Sequence, residues 1–277
     1  MRFLVAIAAL GLAQAALADD SELSAWAGLN YSRGSYGGPG TTEVFSIPFA
    51  ARYESGPWIL RGTLPYMRIT GTGVVVVPGV GPVNGNSGGG LLGLPILGGG
   101  SSGNANPGTP GSTRTMRTTV SGLGDATASA TYMLYGADNR SGAGLTGKVK
   151  LPTGDETQGL GTGSTDFSAQ ADLFKSFGQT TFFGGVGYTV FGDSPIARFD
   201  DVANASLGLV QRFATDRLGL ALDARQAGSP FPLAQRELSA FWIHPVSRNW
   251  RVHAYVLKGF ADGSPDWGTG ISAGYVF

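Results

Sequence analysis

The sequence predicts an all-β fold, a transmembrane antiparallel up-and-down β-barrel of about twelve strands. Three observations lead there. Stretches of about 9–11 residues in which apolar side chains alternate with small or polar ones recur along the chain, as expected of strands with one face in lipid and the other on a lumen. The connections between these stretches alternate between short and long. The composition, 46 Gly and 15 Pro with 14% charged and 10% aromatic residues, is poor in helix formers and rich in strand and turn residues. No stretch reaches the roughly 18 consecutive apolar residues of a spanning helix; the longest candidate, Val74 to Val77, is stopped by Pro78-Gly79.

In chain order, the first element is a segment for export. Arg2 precedes a short apolar run to Leu10, and Ala16-Leu17-Ala18 supplies a small-x-small cleavage site, so residues 1–18 read as a Sec-type signal peptide that is removed. Residues 19–277 then form a single barrel domain. The chain has no cysteine, which excludes a disulfide scaffold, thiol catalysis and Cys-based metal sites. A formal net charge of zero gives no reason to expect a nucleic-acid partner.

Strands are expected near 22–33, 42–53, 58–70, 124–135, 143–152, 166–177, 180–191, 202–213, 217–227, 235–246, 249–259 and 268–277. The short connections, Glu54 to Pro57, Gly136 to Gly142, Gly178-Gln179, Ala214 to Asp216 and Ser247-Arg248, carry turn residues and belong on the periplasmic side with both termini. The long ones, near 34–41, 71–123, 153–165, 192–201, 228–234 and 260–267, belong outside the cell. The last strand alternates Ile271, Ala273, Tyr275 and Phe277 with Ser272, Gly274 and Val276. A terminal Phe277 after such alternation resembles the signal by which outer-membrane barrels are handed to their assembly machinery. This places the chain in a Gram-negative outer membrane, with its lipid and lipopolysaccharide as partners.

Assigning the more apolar set of each strand to lipid puts Phe45, Ile47 and Phe49, then Leu218, Leu220 and Leu222, then Trp250, Val252 and Val256 outside. The inward sets then contain Arg52, Arg61, Asp125, Lys148, Lys150, Asp172, Arg212, Asp223, Arg225, Glu237, Arg251 and His253. Arg or Lys facing lipid at the midplane would cost about 2–4 kcal/mol, so charge placement and alternation check one another. Expected pairings are Asp125 with Lys148, Lys150 with Asp172, and Asp223 and Arg225 with Arg212 and Glu237. These charges read either as ion pairs bracing the wall or as a selectivity zone for small polar or anionic solutes.

Aromatic residues at strand ends, among them Tyr31, Trp58, Tyr66, Phe213 and Trp250, read as interfacial girdles. The Gly-rich segment 71–123 is apolar for an exposed loop. Val74, Val75, Val76, Val77, Leu91, Leu92, Leu94, Ile96 and Leu97 form either a lid folded into the barrel mouth or a flexible insertion.

Chemistry finds little support. His244 and His253 are the two histidines, and Trp242-Ile243-His244-Pro245-Val246-Ser247 does not match the His-x-Ser arrangement of outer-membrane phospholipases. No metal, no cofactor and no catalytic residues are expected. Gly159-Leu160-Gly161-Thr162-Gly163 precedes a strand rather than a helix, so it is a loop motif and not a phosphate cradle.

Three segments carry a family resemblance: Gly122-Leu123-Gly124-Asp125, Lys148 to Asp155 followed by Gly159 to Asp166, and Gly259 to Gly268. Together they resemble the outer-membrane family named after the meta-pathway of phenol degradation, over about residues 120–277. The resemblance implies a barrel that passes hydrophobic or aromatic compounds passively. The competing expectation is a closed structural or surface-interaction barrel, adhesin-like and without transport.

Overall fold

The computed structural model describes residues 21–38, 40–72, 76–77, 104–105, 117–135, 140–228 and 233–277. The expected signal peptide lies outside them. So does most of the apolar loop: Val74, Val75, Leu91, Leu92, Leu94, Ile96 and Leu97 are not among the described residues, while Val76–Val77 pair with Asn104–Ala105 in a short ladder.

Twelve antiparallel strands form one closed barrel. They are β1 (Ser21–Gly34), β2 (Thr42–Ser55), β3 (Trp58–Thr72), β4 in two segments (Arg117–Leu123 and Ala126–Tyr135), β5 (Ser141–Leu151) and β6 (Asp166–Phe177). There follow β7 (Thr180–Val190), β8 (Val202–Phe213), β9 (Asp216–Arg225), β10 (Gln235–Pro245), β11 (Trp250–Gly259) and β12 (Trp267–Val276). Each strand pairs with its sequence neighbours, and β1 closes the circle on β12 from Ser24↔Val276 to Arg33↔Trp267. Closure is what hydrocarbon demands, because an unpaired backbone N–H or C=O there costs several kcal/mol.

Alternation is clear in the burial of most strands. In β6, Asp166, Gln170, Asp172 and Phe174 are buried while Phe167, Ala169, Ala171, Leu173 and Lys175 are exposed. The exposed set over the whole wall is apolar: Leu29, Phe49, Leu145, Leu173, Val186, Leu207, Leu220, Leu222 and Val256 are all more than 40% exposed. A continuous apolar belt of this kind marks a surface whose solvent is lipid.

One strand breaks the period. Tyr66 pairs with Leu123 and Thr63 with Thr127, so three residue steps on β3 span four on β4. This β-bulge at Gly124-Asp125 switches the inward parity of β4 and turns Asp125 into the barrel. Pro65 faces the break; its carbonyl still accepts from the Gly124 amide at 2.9 Å, and having no N–H it forfeits no ladder bond there. Residues 117–123, which the sequence places in the long connection, are thus the upper part of β4.

The alternation makes a direct prediction. Leu222→Arg on the lipid side should lower unfolding stability in bilayers by about 2–4 kcal/mol near the midplane, measured by denaturant titration of vesicle-embedded protein. Ala221→Ser, one residue away on the inner face, should change it far less.

Candidate functional site

All twelve charged or imidazole side chains named from the sequence share the inward parity of their strands. Arg52, Asp125, Lys150, Asp172, Asp223, Arg225, Glu237 and His253 are buried, Arg61, Lys148 and Arg251 are half-buried, and Arg212 is exposed at the strand end. Several of their partners differ from those expected, although Asp223 does stand opposite Glu237. Lys150 lies opposite Asp166 and bonds it at 2.8 Å and Asp125 at 3.0 Å, whereas Asp172 lies opposite Gly144 and accepts from Gln170 at 2.7 Å. Lys148 faces Ser129 and Ser168. Arg212 faces Arg217, while Asp223 is set directly opposite Glu237. Pairing follows register, and register cannot be read from one strand at a time.

Lys150 belongs to a latch. Its ammonium sits between two carboxylates whose side chains are 1% and 4% exposed. Asp125 also accepts the amides of Gly154 at 3.0 Å and Thr162 at 3.1 Å, and Asp166 accepts Ser164 Oγ at 3.1 Å and the Gly192 amide at 3.2 Å. These bonds draw the 153–165 connection inward. Leu160, 2% exposed, packs with Val44, Met67 and Ile69 from the inner faces of β2 and β3. Gly161 lies against Asp125 Oδ1, so a side chain at that position would collide with the carboxylate. Asp155 caps the short 3-10 turn Glu156–Gln158 by accepting from Thr157 and Gln158. Those hydrogen bonds, the Thr157 side chain's first, hold its carboxyl below the usual range.

Across β6 to β11 the inner wall is not polar as expected. Phe174, Phe183, Val210, Ala221, Phe241, Ile243, Tyr255 and Leu257 form one buried apolar cluster across β6 to β11. His253, 1% exposed, lies between the rings of Phe241 and Tyr255 at 6.1 and 6.0 Å. Assigning the more apolar set to lipid overlooks this, because a narrow barrel buries inward side chains against neighbouring wall as effectively as a core does.

Four of these inward aromatic residues, and Trp26 on β1, share one arrangement. Phe174 faces Gly142, Phe183 faces Gly208, Phe241 faces Gly219, Tyr255 faces Gly270 and Trp26 faces Gly274, each as direct cross-strand partners. In every pair the ring carbons occupy the place where the glycine's Cβ would be. The rings therefore lie along the wall over a glycine floor instead of projecting across the axis. A neighbouring strand's glycine is the signal that identifies them, and it becomes visible only once the register is known.

On the lipid side, His244 Nδ1 meets Asp216 Oδ1 at 2.6 Å, and Trp242 Nε1 donates to Asp216 Oδ2 at 3.0 Å. Ser247 Oγ is engaged by the amides of Asn249 and Trp250 in the β10–β11 turn. Among the described residues no group of three His, Cys, Asp or Glu is placed to hold a metal ion.

The architecture is that of outer-membrane β-barrels. The chain is similar to the crystal structure of an outer membrane channel from Pseudomonas putida F1, with TM-score 0.66 and 13% identity over 94% of this chain and 97% of that one. It is similar to the KdgM porin at TM-score 0.51 and 7% identity, covering 91% of this chain and 99% of that one. The β domain of the Bordetella autotransporter BrkA follows at TM-score 0.50 and 13% identity, covering 93% and 99%. No family model and no curated protein matches the chain. Identities this low establish the shared barrel fold; function has to be argued from the site.

Lys150→Met tests the latch. Removing the ammonium leaves Asp125 and Asp166 buried without their cation, a loss of about 3–5 kcal/mol locally. The 153–165 connection should then become cleavable by added protease while the heat-resistant barrel persists on gels.

Proposed function

We propose that the chain is a passive channel of the Gram-negative outer membrane for small hydrophobic or aromatic molecules. The observation that carries this reading is the set of five inward rings laid flat on glycines. It makes the inner wall at this level apolar and aromatic, which suits ring solutes. Stacked and edge-on ring contacts are worth about 0.5–1.5 kcal/mol each beyond area burial. That is enough to favour such solutes and weak enough to release them, as conduction requires. The resemblance to the phenol meta-pathway family supports the same solute class.

The surroundings are assigned on the same footing. The apolar outer belt faces membrane lipid, the loop end meets lipopolysaccharide, and the strand ending in Phe277 is the segment read by the barrel-assembly machinery. Phe277 extends the sheet: its amide donates to the Leu23 carbonyl at 2.9 Å and its ring packs edge-on to Tyr275 at 5.0 Å.

Planar-bilayer recordings and liposome swelling with the refolded protein test the proposal. Discrete conductance steps and swelling with benzyl alcohol are expected. Gly208→Val and Gly219→Val, which push Phe183 and Phe241 off the wall, should reduce both severalfold. A native barrel with no current and no swelling would instead favour a closed structural or surface-interaction role.

A further inference from the structure

The end of the barrel that carries the termini has an unusual charge distribution on its inner face. Arg212 on β8, Arg217 on β9 and Arg251 on β11 each sit one position in from the end of their strand, and Arg52 on β2 and Arg61 on β3 sit three positions in. All five have inward parity. Register brings them together in two groups, since Arg52 is directly opposite Arg61 and Arg212 directly opposite Arg217. Like charges facing one another across a ladder are destabilising, so the arrangement needs a cause outside sheet stability.

Among the described residues, the inward acidic side chains in the same zone are Glu22 and Glu54. Glu54 bonds Arg52 at 2.9 Å, and Glu22 stands 4.0 Å from Arg251. Among the described inward side chains of this mouth, two carboxylates stand against five guanidiniums, an excess of three positive charges. The bracing reading, in which lumenal charges cancel as ion pairs, holds for the Lys150 latch at the other end; here the guanidiniums outnumber the carboxylates among the described residues.

Just above the collar lies the apolar wall. Phe174, Phe183 and Val210 are three positions in from their strand ends, level with Arg52 and Arg61, and Phe241 and Tyr255 follow one or two positions higher. The rings of β6 to β11 and the guanidinium groups of β2 and β3 thus border one level of the lumen. Guanidinium presents parallel N–H donors that match a carboxylate in two-pronged fashion, which a neutral solute cannot use.

We propose that the solute this end of the lumen takes is a small aromatic or hydrophobic anion, its ring on the apolar wall and its carboxylate on the arginine collar. The channel is anion-selective as a consequence. Net charge focused in a mouth with low-dielectric walls raises local counter-ion concentration about tenfold or more at low salt, and the effect fades as ionic strength rises. The inference rests on the transport reading above and narrows its substrate class.

The test uses the refolded protein in planar bilayers under a potassium chloride gradient, with vesicle influx of benzoate and benzyl alcohol measured in parallel. The reversal potential should report chloride preference, and benzoate influx driven by its own gradient should exceed that of benzyl alcohol at low salt and lose the advantage at high salt. Arg61→Gln with Arg52→Gln should move the reversal potential toward zero and abolish the benzoate advantage while benzyl alcohol still passes. Should that pair of substitutions prevent folding, Arg212→Gln with Arg217→Gln probes the other half of the collar and should shift the potential in the same direction. Open channels with no ion preference, or with cation preference, overturn the anion assignment and leave passive transport standing. Absence of both current and influx overturns the transport reading itself, and this inference with it.

Discussion

The structure depends on one constraint: a sheet in hydrocarbon has no water to satisfy its edges, so its first and last strands must find each other. Here β1 and β12 do so over the run from Ser24↔Val276 to Arg33↔Trp267. Once the sheet is closed, the pleat leaves each side chain a binary choice between lipid and lumen. The Leu, Val and Phe belt outside and the charged and hydroxyl side chains inside follow from that choice.

The lumen adds a second level of organisation. With twelve strands the barrel is too narrow for a wide aqueous bore of the sixteen-stranded kind, and its inner side chains pack against the neighbouring wall. Aromatic rings fit in this space only where the adjacent strand gives way, and glycines at Gly142, Gly208, Gly219, Gly270 and Gly274 provide the room. Charge is distributed by the same economy of space. At the loop end a cation is shared by two acids and their amide donors, which fastens a connection inward; at the other end, among the described inward side chains, five arginines outnumber two glutamates.

Most strands were legible in the sequence because apolar alternation and turn residues report purely local physics. The expected 166–177 and 202–213 coincide with Asp166–Phe177 and Val202–Phe213. Features that depend on two strands at once were not legible. Lys150 finds Asp166 instead of Asp172 because the β5–β6 register sets Gly144 opposite Asp172. The bulge at Gly124-Asp125 shows only as a mismatch between the ladders above and below it. Phe174, Phe183, Phe241 and Tyr255 were hidden because hydrophobicity alone cannot tell lipid from a neighbouring wall. Arg217 has the inward parity that Leu218, Leu220 and Leu222 imply; its place directly opposite Arg212 depends on the β8–β9 register.

The absence of native cysteine allows the central claim, that successive side chains alternate between oil and an accessible lumen, to be tested one residue at a time. Single cysteines introduced as Ser206→Cys, Ser239→Cys and Thr63→Cys, with Leu207→Cys, Leu238→Cys and Leu64→Cys as their lipid-side neighbours, would be exposed to a small charged thiol reagent in vesicles. The account predicts labelling of the first three and protection of the second three. Equal labelling of both sets, or protection of all six, would contradict it.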